Sequence, residues 1–149
     1  MTDHYVYLGL GSNMGNRKTL LEKAILLIEE KVGTVTRQSS FIETEPWGFE
    51  SPNKFLNAVI LCETSHTPRE VLELTQQIER ALGRNRKHAT RRSQIANGKL
   101  SNDKYNDRPI DIDILLYDNL TIDEPDLKIP HPLMYQRDFV MIPLKEIMP

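Results

Sequence analysis

Cysteine is nearly absent from this sequence, with Cys62 as its single representative among 149 residues. One cysteine cannot form an intrachain disulfide, which fits a reducing compartment. No segment approaches the ~20 apolar residues of a membrane span, and the polar start MTDHYVYLGL lacks the basic flank of a secretion signal. We therefore predict a cytoplasmic protein with no membrane partner, in which Cys62, within the apolar run VILC, belongs to the core.

An excess of charge of one sign is also missing. The net charge of -2 argues against a protein that binds nucleic acid through its overall field. The distribution is uneven, because the stretch from Arg84 to Arg108 carries eight Arg or Lys against two acidic residues, Asp103 and Asp107. This basic stretch predicts a local anion site. Its long run with few large apolar residues, 88–105, predicts a flexible lid.

The phosphate-binding loop GxxxxGK[ST] does not occur. The nearest segment, GLGSNMGN, has no lysine at the required position, which excludes a P-loop enzyme. We interpret its glycines as turn residues rather than as a phosphate cradle.

The elements that are present follow the order strand, helix, strand, strand, helix, strand within one domain, 1–149. Two helices are predicted from apolar residues at helical spacing, the first ending at a left-handed Gly33 and the second beginning at a capping box of Thr67 and Glu70 and ending at Gly83. This order predicts an α+β fold, a ferredoxin-like sandwich in which an antiparallel sheet carries both helices on one face.

Two acidic residues alternate with isoleucine in the last strong strand, RPIDIDILLY. Strand residues two apart share a face, so Asp111 and Asp113 project together, with Cβ atoms roughly 7 Å apart, while the isoleucines bury. Two carboxylates at this separation can bind hard cations such as Mg²⁺. The alternation equally fits the polar face of an amphipathic strand, but Asp is a poor strand former, and such violations concentrate at functional sites.

Basic residues frame this strand in the sequence. Guanidinium groups suit bidentate contact with phosphate oxygens, so Arg84, Arg86, Lys87 and Arg108 beside a carboxylate pair predict a site for a magnesium-bound triphosphate. For a charge run alone, a solvated loop is the simpler interpretation.

Several segments in order resemble one known family, 6-hydroxymethyl-7,8-dihydropterin pyrophosphokinase of folate biosynthesis. The resemblance covers nearly the whole chain, and its segments are LGLGSNMGN, ETEPWG, FLNAV, TQQIERALGRNRK, RPIDIDILL and IPHPLMYQRDFV. It implies transfer of the β,γ-pyrophosphoryl group of ATP to the hydroxymethyl group of a reduced pterin, with release of AMP.

The resemblance also implies roles for individual residues. Asp111 and Asp113 would bind two Mg²⁺ ions, and together with Arg84 and Arg108 they form the implied catalytic group. The implied ATP contacts are Gln76, Arg84, Arg86, Lys87, Arg108, Ile114, His131 and Arg137. The implied pterin contacts are Thr44, Pro46, Trp47, Phe55, Asn57 and Phe139. Glu79 matches a carboxylate on the helix that faces the site.

The sequence departs from the family at a few positions. Asn106 and Asp107 precede Arg108 where Gly-Pro is common, and the stretch 88–105 is longer than in compact members. Phe55 stands where tyrosine is frequent, and Pro132 where the family often has an aromatic residue.

Two other functions fit part of the pattern. A different Mg-dependent phospho- or nucleotidyltransferase would use the paired aspartates equally well. A non-catalytic ferredoxin-like module that binds RNA fits the arginines, but not two carboxylates that would repel a phosphate backbone. We expect a monomer that binds ATP and a reduced pterin alcohol and no nucleic acid.

Overall fold

A computed structural model describes residues 3–48, 51–83 and 109–149 of the chain. These ranges contain seven strands and three α-helices. The elements are β1 (His4–Ser12), α1 (Arg17–Lys31), β2 (Thr34–Gln38), β3 (Ile42–Thr44), β4 (Phe55–Thr64), α2 (Pro68–Ala81), β5 (Asp111–Tyr117), β6 (Ile122–Glu124), β7 (Leu127–Ile129) and α3 (Asp138–Ile147).

The main sheet is antiparallel at every pairing. Its strand order is β2-β4-β1-β5, and the short β3 also pairs with β4. With β2 and β3 taken as one interrupted edge, this is the strand arrangement of a split β-α-β unit, as in ferredoxin-like folds. The predicted α+β ferredoxin-like fold is confirmed. A second, two-stranded sheet of β6 and β7, which the sequence pattern did not predict, follows β5.

The main core lies between one face of the sheet and the helices α1 and α2. Isoleucines and leucines of β1 and β5 meet the buried stripes of both helices there, with Ile28 of α1 and Ile78 of α2 fully buried. Cys62 belongs to this core, and burial, followed by the nearby charges of Glu29 and Glu63, raises the pKa of its thiol to about 12. The thiol therefore stays protonated, as expected of a core residue.

The predicted helix boundaries hold at α2 and fail in one respect at α1. Thr67 and Glu70 form the predicted capping box, in which the hydroxyl of Thr67 accepts from the Glu70 N–H and the Glu70 carboxylate accepts from the Thr67 N–H. Gly83 has φ +107, a left-handed residue after the helix. Gly33 is not among the residues with positive φ. Position 33 requires glycine for a different reason, namely that a Cβ there would overlap the carbonyl oxygen of Glu63.

The opposite face of the sheet carries a smaller core under α3. Val59 of β4, Leu115 of β5 and Leu144 of α3 meet in it. A β-bulge makes this possible, since the pairing of β1 with β5 shifts register between Tyr7 and Leu8 and leaves Leu115 as an extra residue. The sequence pattern predicted only a proline-punctuated segment where α3 lies.

None of the helices in the described ranges has both the length and the apolar character needed to cross a membrane.

Candidate active site

Asp111 and Asp113 lie at the beginning of β5, on the face opposite the main core. In the register of the sheet Asp111 pairs with Gly11 and Asp113 with Gly9. Their neighbours Ile112 and Ile114 are buried in the main core, so the two carboxylates share the other face, as the alternation predicts. Both aspartates are half-buried and line the same cleft.

This cleft, which we call the aromatic cleft, is bounded by β1, β4 and β5, by the segment after β3 and by the start of α3. Its lining residues are Gly9, Leu10, Gly11, Thr44, Glu45, Trp47, Phe55, Asn57, Ala58, Val59, Asp111, Asp113, Arg137, Phe139 and Val140. Five of the six residues predicted for the pterin therefore lie in one cleft with both aspartates.

The amide of Asn57 is held in a defined orientation at the wall of the aromatic cleft. Asn57 is 4% exposed, and its Nδ2 donates a 2.6 Å hydrogen bond to the hydroxyl oxygen of Thr44. The two side chains meet because β3 pairs antiparallel with β4. A buried amide needs such partners, and this bond selects which side of the amide faces the cleft.

Two glycines of β1 form part of the floor of the aromatic cleft. Gly9 pairs with Asp113 of β5 on one side and with Val59 of β4 on the other. Gly11 likewise pairs with Asp111 and Asn57. A Cβ on Gly11 would lie 2.8 Å from Oδ1 of Asn57, and a Cβ on Gly9 would lie 3.4 Å from the side chain of Leu115. The interpretation of these two glycines as turn residues is wrong, because both lie within β1. The signal was present, since glycine inside a strand often marks a close approach.

Arg137 is buried in the aromatic cleft and contacts two of its rings. Its Cζ is 4.5 Å from the ring centroid of Trp47 and 5.4 Å from that of Phe139. These distances are within the ~6 Å range of cation–π contacts. The structure thus brings Arg137, predicted as an ATP contact, together with two residues predicted for the pterin.

A second cleft, the hairpin cleft, opens on the other side of β5, between α2 and the β6–β7 hairpin. Its lining residues are Leu72, Ile112, Asp113, Ile114, Pro125, Asp126, Leu127, Lys128, His131 and Pro132. Two residues predicted as ATP contacts, Ile114 and His131, are among them. A backbone hydrogen bond orients the ring of His131, because its Nδ1 accepts from the N–H of Leu133 at 3.4 Å.

Arg69 of α2 forms ion pairs with two carboxylates at the tip of the β6–β7 hairpin, and we call these ion pairs the Arg69 clasp. Its guanidinium donates to the carboxylates of Asp126, at 2.8 Å, and Glu124. The hydrogen bond from Arg69 holds the pKa of Asp126 below its ordinary value. Because Asp126 lines the hairpin cleft, this clasp fixes the position of the cleft wall relative to α2.

The remaining predicted residues lie elsewhere. Pro46 and Gln76 are half-buried but do not line either cleft. The basic residues Arg84, Arg86, Lys87 and Arg108, and the predicted lid 88–105, lie outside the described residues.

Asp111 lines the aromatic cleft, and Asp113 lines both this cleft and the hairpin cleft. Two carboxylates beside adjoining clefts on an antiparallel α+β sheet are an arrangement typical of enzymes that act on small molecules. The comparisons with known proteins name the family. Residues 7–149 match the model of the family described as 7,8-dihydro-6-hydroxymethylpterin-pyrophosphokinase. The chain belongs to this family.

Individual relatives agree with this assignment. The chain is 48% identical over 145 residues to the 2-amino-4-hydroxy-6-hydroxymethyldihydropteridine pyrophosphokinase of Porphyromonas gingivalis, covering 97% of this chain and 90% of the relative. It is 41% identical to the enzyme of the same name from Bacillus subtilis, covering 97% and 78%. A crystal structure described as HPPK-DHPS in complex with substrates shares the fold, with a TM-score of 0.73 at 16% identity over 99% of this chain and 40% of that one.

Proposed function

We propose that the aromatic cleft binds the pterin, the hairpin cleft binds the nucleotide, and the aspartate pair between them holds the reacting phosphates. The chain is an ATP-dependent pyrophosphokinase that transfers the pyrophosphoryl group of ATP to hydroxymethyldihydropterin in folate synthesis. The observation that carries the site assignment is that Asp113 lines both clefts. A group transferred between substrates in the two clefts must pass this residue.

The aromatic cleft suits a flat heterocycle with hydrogen-bonding edges. The rings of Trp47, Phe55 and Phe139 provide faces for stacking, and the oriented amide of Asn57 provides polar atoms for one edge of the pterin. Thr44 binds indirectly in this proposal, because its hydroxyl fixes the Asn57 amide. Pro46, which does not line the cleft, shapes the segment that carries Trp47.

The hairpin cleft suits the nucleoside end of ATP. Ile114 and Leu72 provide apolar contact for a base, while Lys128 and His131 provide polar groups beside it. Gln76 and the basic residues Arg84, Arg86, Lys87 and Arg108 are further ATP contacts in this proposal, on the strength of the family resemblance. Arg137 reaches the phosphates from the aromatic cleft, where it lies with both aspartates.

The carboxylates of Asp111 and Asp113 fit magnesium. Mg²⁺ prefers oxygen ligands in octahedral geometry and is commonly held by one or two carboxylates together with substrate phosphates and water. The pair supplies two such carboxylates on one strand face. We propose two ions, which Asp111 and Asp113 would hold. When bound, magnesium neutralises phosphate charge and polarises the attacking hydroxyl.

The protein contributes mainly orientation to the chemical step. The hydroxymethyl oxygen of the pterin bonds to the β-phosphorus of ATP, the bond from that phosphorus to the α,β-bridging oxygen breaks, and AMP leaves. The hydroxyl proton passes to solvent, with no side chain assigned as general base. The stacked rings and Asn57 hold the hydroxyl toward the acidic pair, and alignment of this kind accounts for much of the acceleration in phosphoryl-type transfer.

The same proposal includes the state of the protein. We propose that 1–149 forms one domain, that the enzyme acts as a cytoplasmic monomer, and that neither nucleic acid nor a membrane takes part. The buried, protonated thiol of Cys62 is consistent with a reducing compartment.

Incubation with ATP, Mg²⁺ and 6-hydroxymethyl-7,8-dihydropterin tests the reaction. The expected products are AMP and the pyrophosphorylated pterin in equal amounts. Release of ADP would contradict the proposal and move the protein to another class of kinase.

Variants of the acidic pair test the site assignment. Asp111→Asn and Asp113→Asn each remove one carboxylate, and we expect turnover to fall at least about 100-fold, the scale of losing one preorganised electrostatic contact. Both variants should remain folded, since asparagine closely matches aspartate in size, and thermal unfolding checks this. Glu63→Gln is the matched control, since Glu63 is a half-buried carboxylate of β4 outside both clefts. Wild-type turnover in either aspartate variant would overturn the assignment.

A further inference from the structure

Arg17, the first residue of α1, joins this helix to β3 and to the start of β4. Its Nη2 forms a 2.9 Å ion pair with the carboxylate of Glu43 in β3. Its Nη1 donates a 2.9 Å hydrogen bond to the carbonyl oxygen of Lys54, the residue directly before β4. A guanidinium can serve two acceptors at once because its donors form a rigid planar fork. One side chain therefore holds both ends of the β3–β4 connection against α1.

The segment between β1 and α1 determines where Arg17 lies. Gly15 has φ +71, a left-handed conformation that glycine adopts without strain, and the chain turns there after leaving β1. Asn16 caps the helix, because its side-chain oxygen accepts a 3.2 Å hydrogen bond from the N–H of Thr19. The turn and the cap together fix the start of α1, and Arg17 is the first residue after the cap.

The strand that Arg17 holds is the shortest of the main sheet. β3 has three residues, and among the described strands it pairs with β4 only. Its last residue, Thr44, pairs with Phe55 and orients the amide of Asn57 through the 2.6 Å hydrogen bond. Short segments with few contacts open more easily than the rest of a structure. A tether on β3 therefore increases the fraction of molecules in which Thr44 is in place.

We infer that Arg17 is a positioning residue for the pterin and acts through β3. By holding β3 and the start of β4 against α1, it keeps Thr44 in place and the Asn57 amide oriented before the substrate arrives. The apparent affinity for a ligand falls in proportion to the fraction of protein in the binding-competent state. Loss of Arg17 therefore weakens pterin binding and leaves the chemical step unchanged. This inference rests on the proposed assignment of the pterin to the aromatic cleft.

Steady-state kinetics of Arg17→Met test the inference. At saturating ATP and Mg²⁺ we expect the KM for 6-hydroxymethyl-7,8-dihydropterin to rise about three- to fivefold, the scale of a half-exposed ion pair, with kcat within about twofold of wild type. The rise is limited because Asn13 still donates a 3.3 Å hydrogen bond to the carbonyl oxygen of Asn53 beside the same connection. The KM for ATP should stay near the wild-type value, since Arg17 does not line the hairpin cleft.

Calorimetry separates binding from turnover. The dissociation constant of the same pterin is measured with Mg²⁺ and saturating α,β-methylene-ATP, whose α,β bridge cannot be cleaved. It should rise in Arg17→Met by the same factor as the KM.

Hydrogen exchange distinguishes the positioning of β3 from a general loss of stability. In Arg17→Met the amides of 42–44 should exchange faster, whereas those of α2 should exchange as in the wild type. Saturating pterin and nucleotide analogue should slow the exchange of 42–44 again, because the pterin favours the ordered state. Faster exchange throughout the protein would indicate general destabilisation and overturn the inference.

Three further variants follow the contacts of Arg17. Arg17→Lys keeps the charge without the planar fork, so it should recover part of the pterin affinity. Glu43→Gln weakens the ion pair from its other end and should raise the pterin KM, but it should add little in the Arg17→Met background, where the partner is already absent. Lys18→Met removes an exposed cation of the same helical turn and is the matched control, with wild-type kinetics expected.

Four results would overturn the inference. They are a wild-type pterin KM in Arg17→Met, additive effects of Arg17→Met and Glu43→Gln, an equal rise in the KM for ATP, and a rise of the same size in Lys18→Met. If the wild type still releases AMP in any of these cases, the proposed function stands and only the role of Arg17 is rejected. Absence of AMP from the wild type rejects the proposed function itself.

Discussion

The carboxylate of Glu79 accepts a 2.8 Å hydrogen bond at Oε2 from the backbone N–H of Ile112, the residue between Asp111 and Asp113. Ile112 belongs to β5, which lies at the edge of the main sheet. An edge strand presents backbone groups with no neighbouring strand to pair with. Glu79 of α2 therefore supplies the acceptor that a further strand would have provided, and it fixes the backbone from which both aspartates project.

Replacement of Glu79 should affect both stability and magnesium use. Glu79→Ala leaves a part-buried N–H unpaired, which costs about 1–3 kcal/mol of unfolding free energy, and loosens the strand between the aspartates. We expect a lower midpoint in urea and a higher Mg²⁺ concentration for half-maximal turnover.

Two further variants isolate the hydrogen bond made by Glu79. Glu79→Gln keeps an acceptor and should show the smaller change in both measurements. Glu73→Ala, an exposed glutamate of the same helix, should show neither effect. An unchanged Mg²⁺ requirement in Glu79→Ala would contradict the positioning role.

A methyl group on the glycine floor should disturb the pterin side of the cleft. In Gly11→Ala the new Cβ would lie 2.8 Å from Oδ1 of Asn57, so the amide must move and its hydrogen bond to Thr44 is strained. We expect the KM for the pterin to rise about tenfold or more, the scale of disturbing one polar contact with a substrate. The KM for ATP should change less, because Gly11 does not line the hairpin cleft.

Gly9→Ala provides the comparison for this prediction. Its Cβ would lie 3.4 Å from the side chain of Leu115, which is about an ordinary van der Waals contact, so little has to move. The rise in the pterin KM should therefore be smaller than in Gly11→Ala. An equal or larger effect at Gly9 would show that loss of open space in the cleft, rather than the Asn57 amide, controls pterin binding.

Loss of the Arg69 clasp should weaken the use of ATP and leave the use of the pterin nearly unchanged. Arg69→Ala frees the hairpin tip from α2, and we expect the KM for ATP to rise about two- to fivefold with little change in the KM for the pterin, as befits exposed ion pairs. Because salt screens such pairs, the difference from wild type should shrink between low and high ionic strength. Lys23→Ala, an exposed cation of α1, controls for net charge. An effect on the pterin KM of equal size would argue against the hairpin cleft as the nucleotide site.

The capping box of α2 should make stability depend on pH in the acid range. The Thr67 backbone N–H, by donating to the Glu70 carboxylate, lowers the pKa of Glu70 from its ordinary 4.5. A depressed folded-state pKa stabilises the protein above the unfolded pKa, and this contribution is lost as the pH falls through the folded value. Glu70→Gln does not titrate there. Urea unfolding should therefore show wild type more stable than Glu70→Gln near pH 6, and by a shrinking margin below about pH 4.5. A margin independent of pH would contradict the role of the charge.

Interactions between residues close in sequence were predictable. The capping box joins Thr67 to a residue three positions away, and the shared face of Asp111 and Asp113 follows from the geometry of any strand. The α3 helix was not predicted, because Pro143 inside it lacks an amide and weakens the local pattern. Its packing on β4 and the hydrogen bonds from Ser40 to Glu146 support it, and those hydrogen bonds join residues 106 positions apart.

Side-chain alternation is a property of any extended backbone, so the local pattern was enough to place two carboxylates on one face of a strand. The contact of Arg137 with Trp47, and the position of Asp113 between two clefts, depend on how distant parts of the chain pack together. Those relationships depend on strand register, on the bulge that admits Leu115 to the second core and on where α3 begins. Each of these arises from hydrogen bonding and packing between distant segments, which no local pattern encodes.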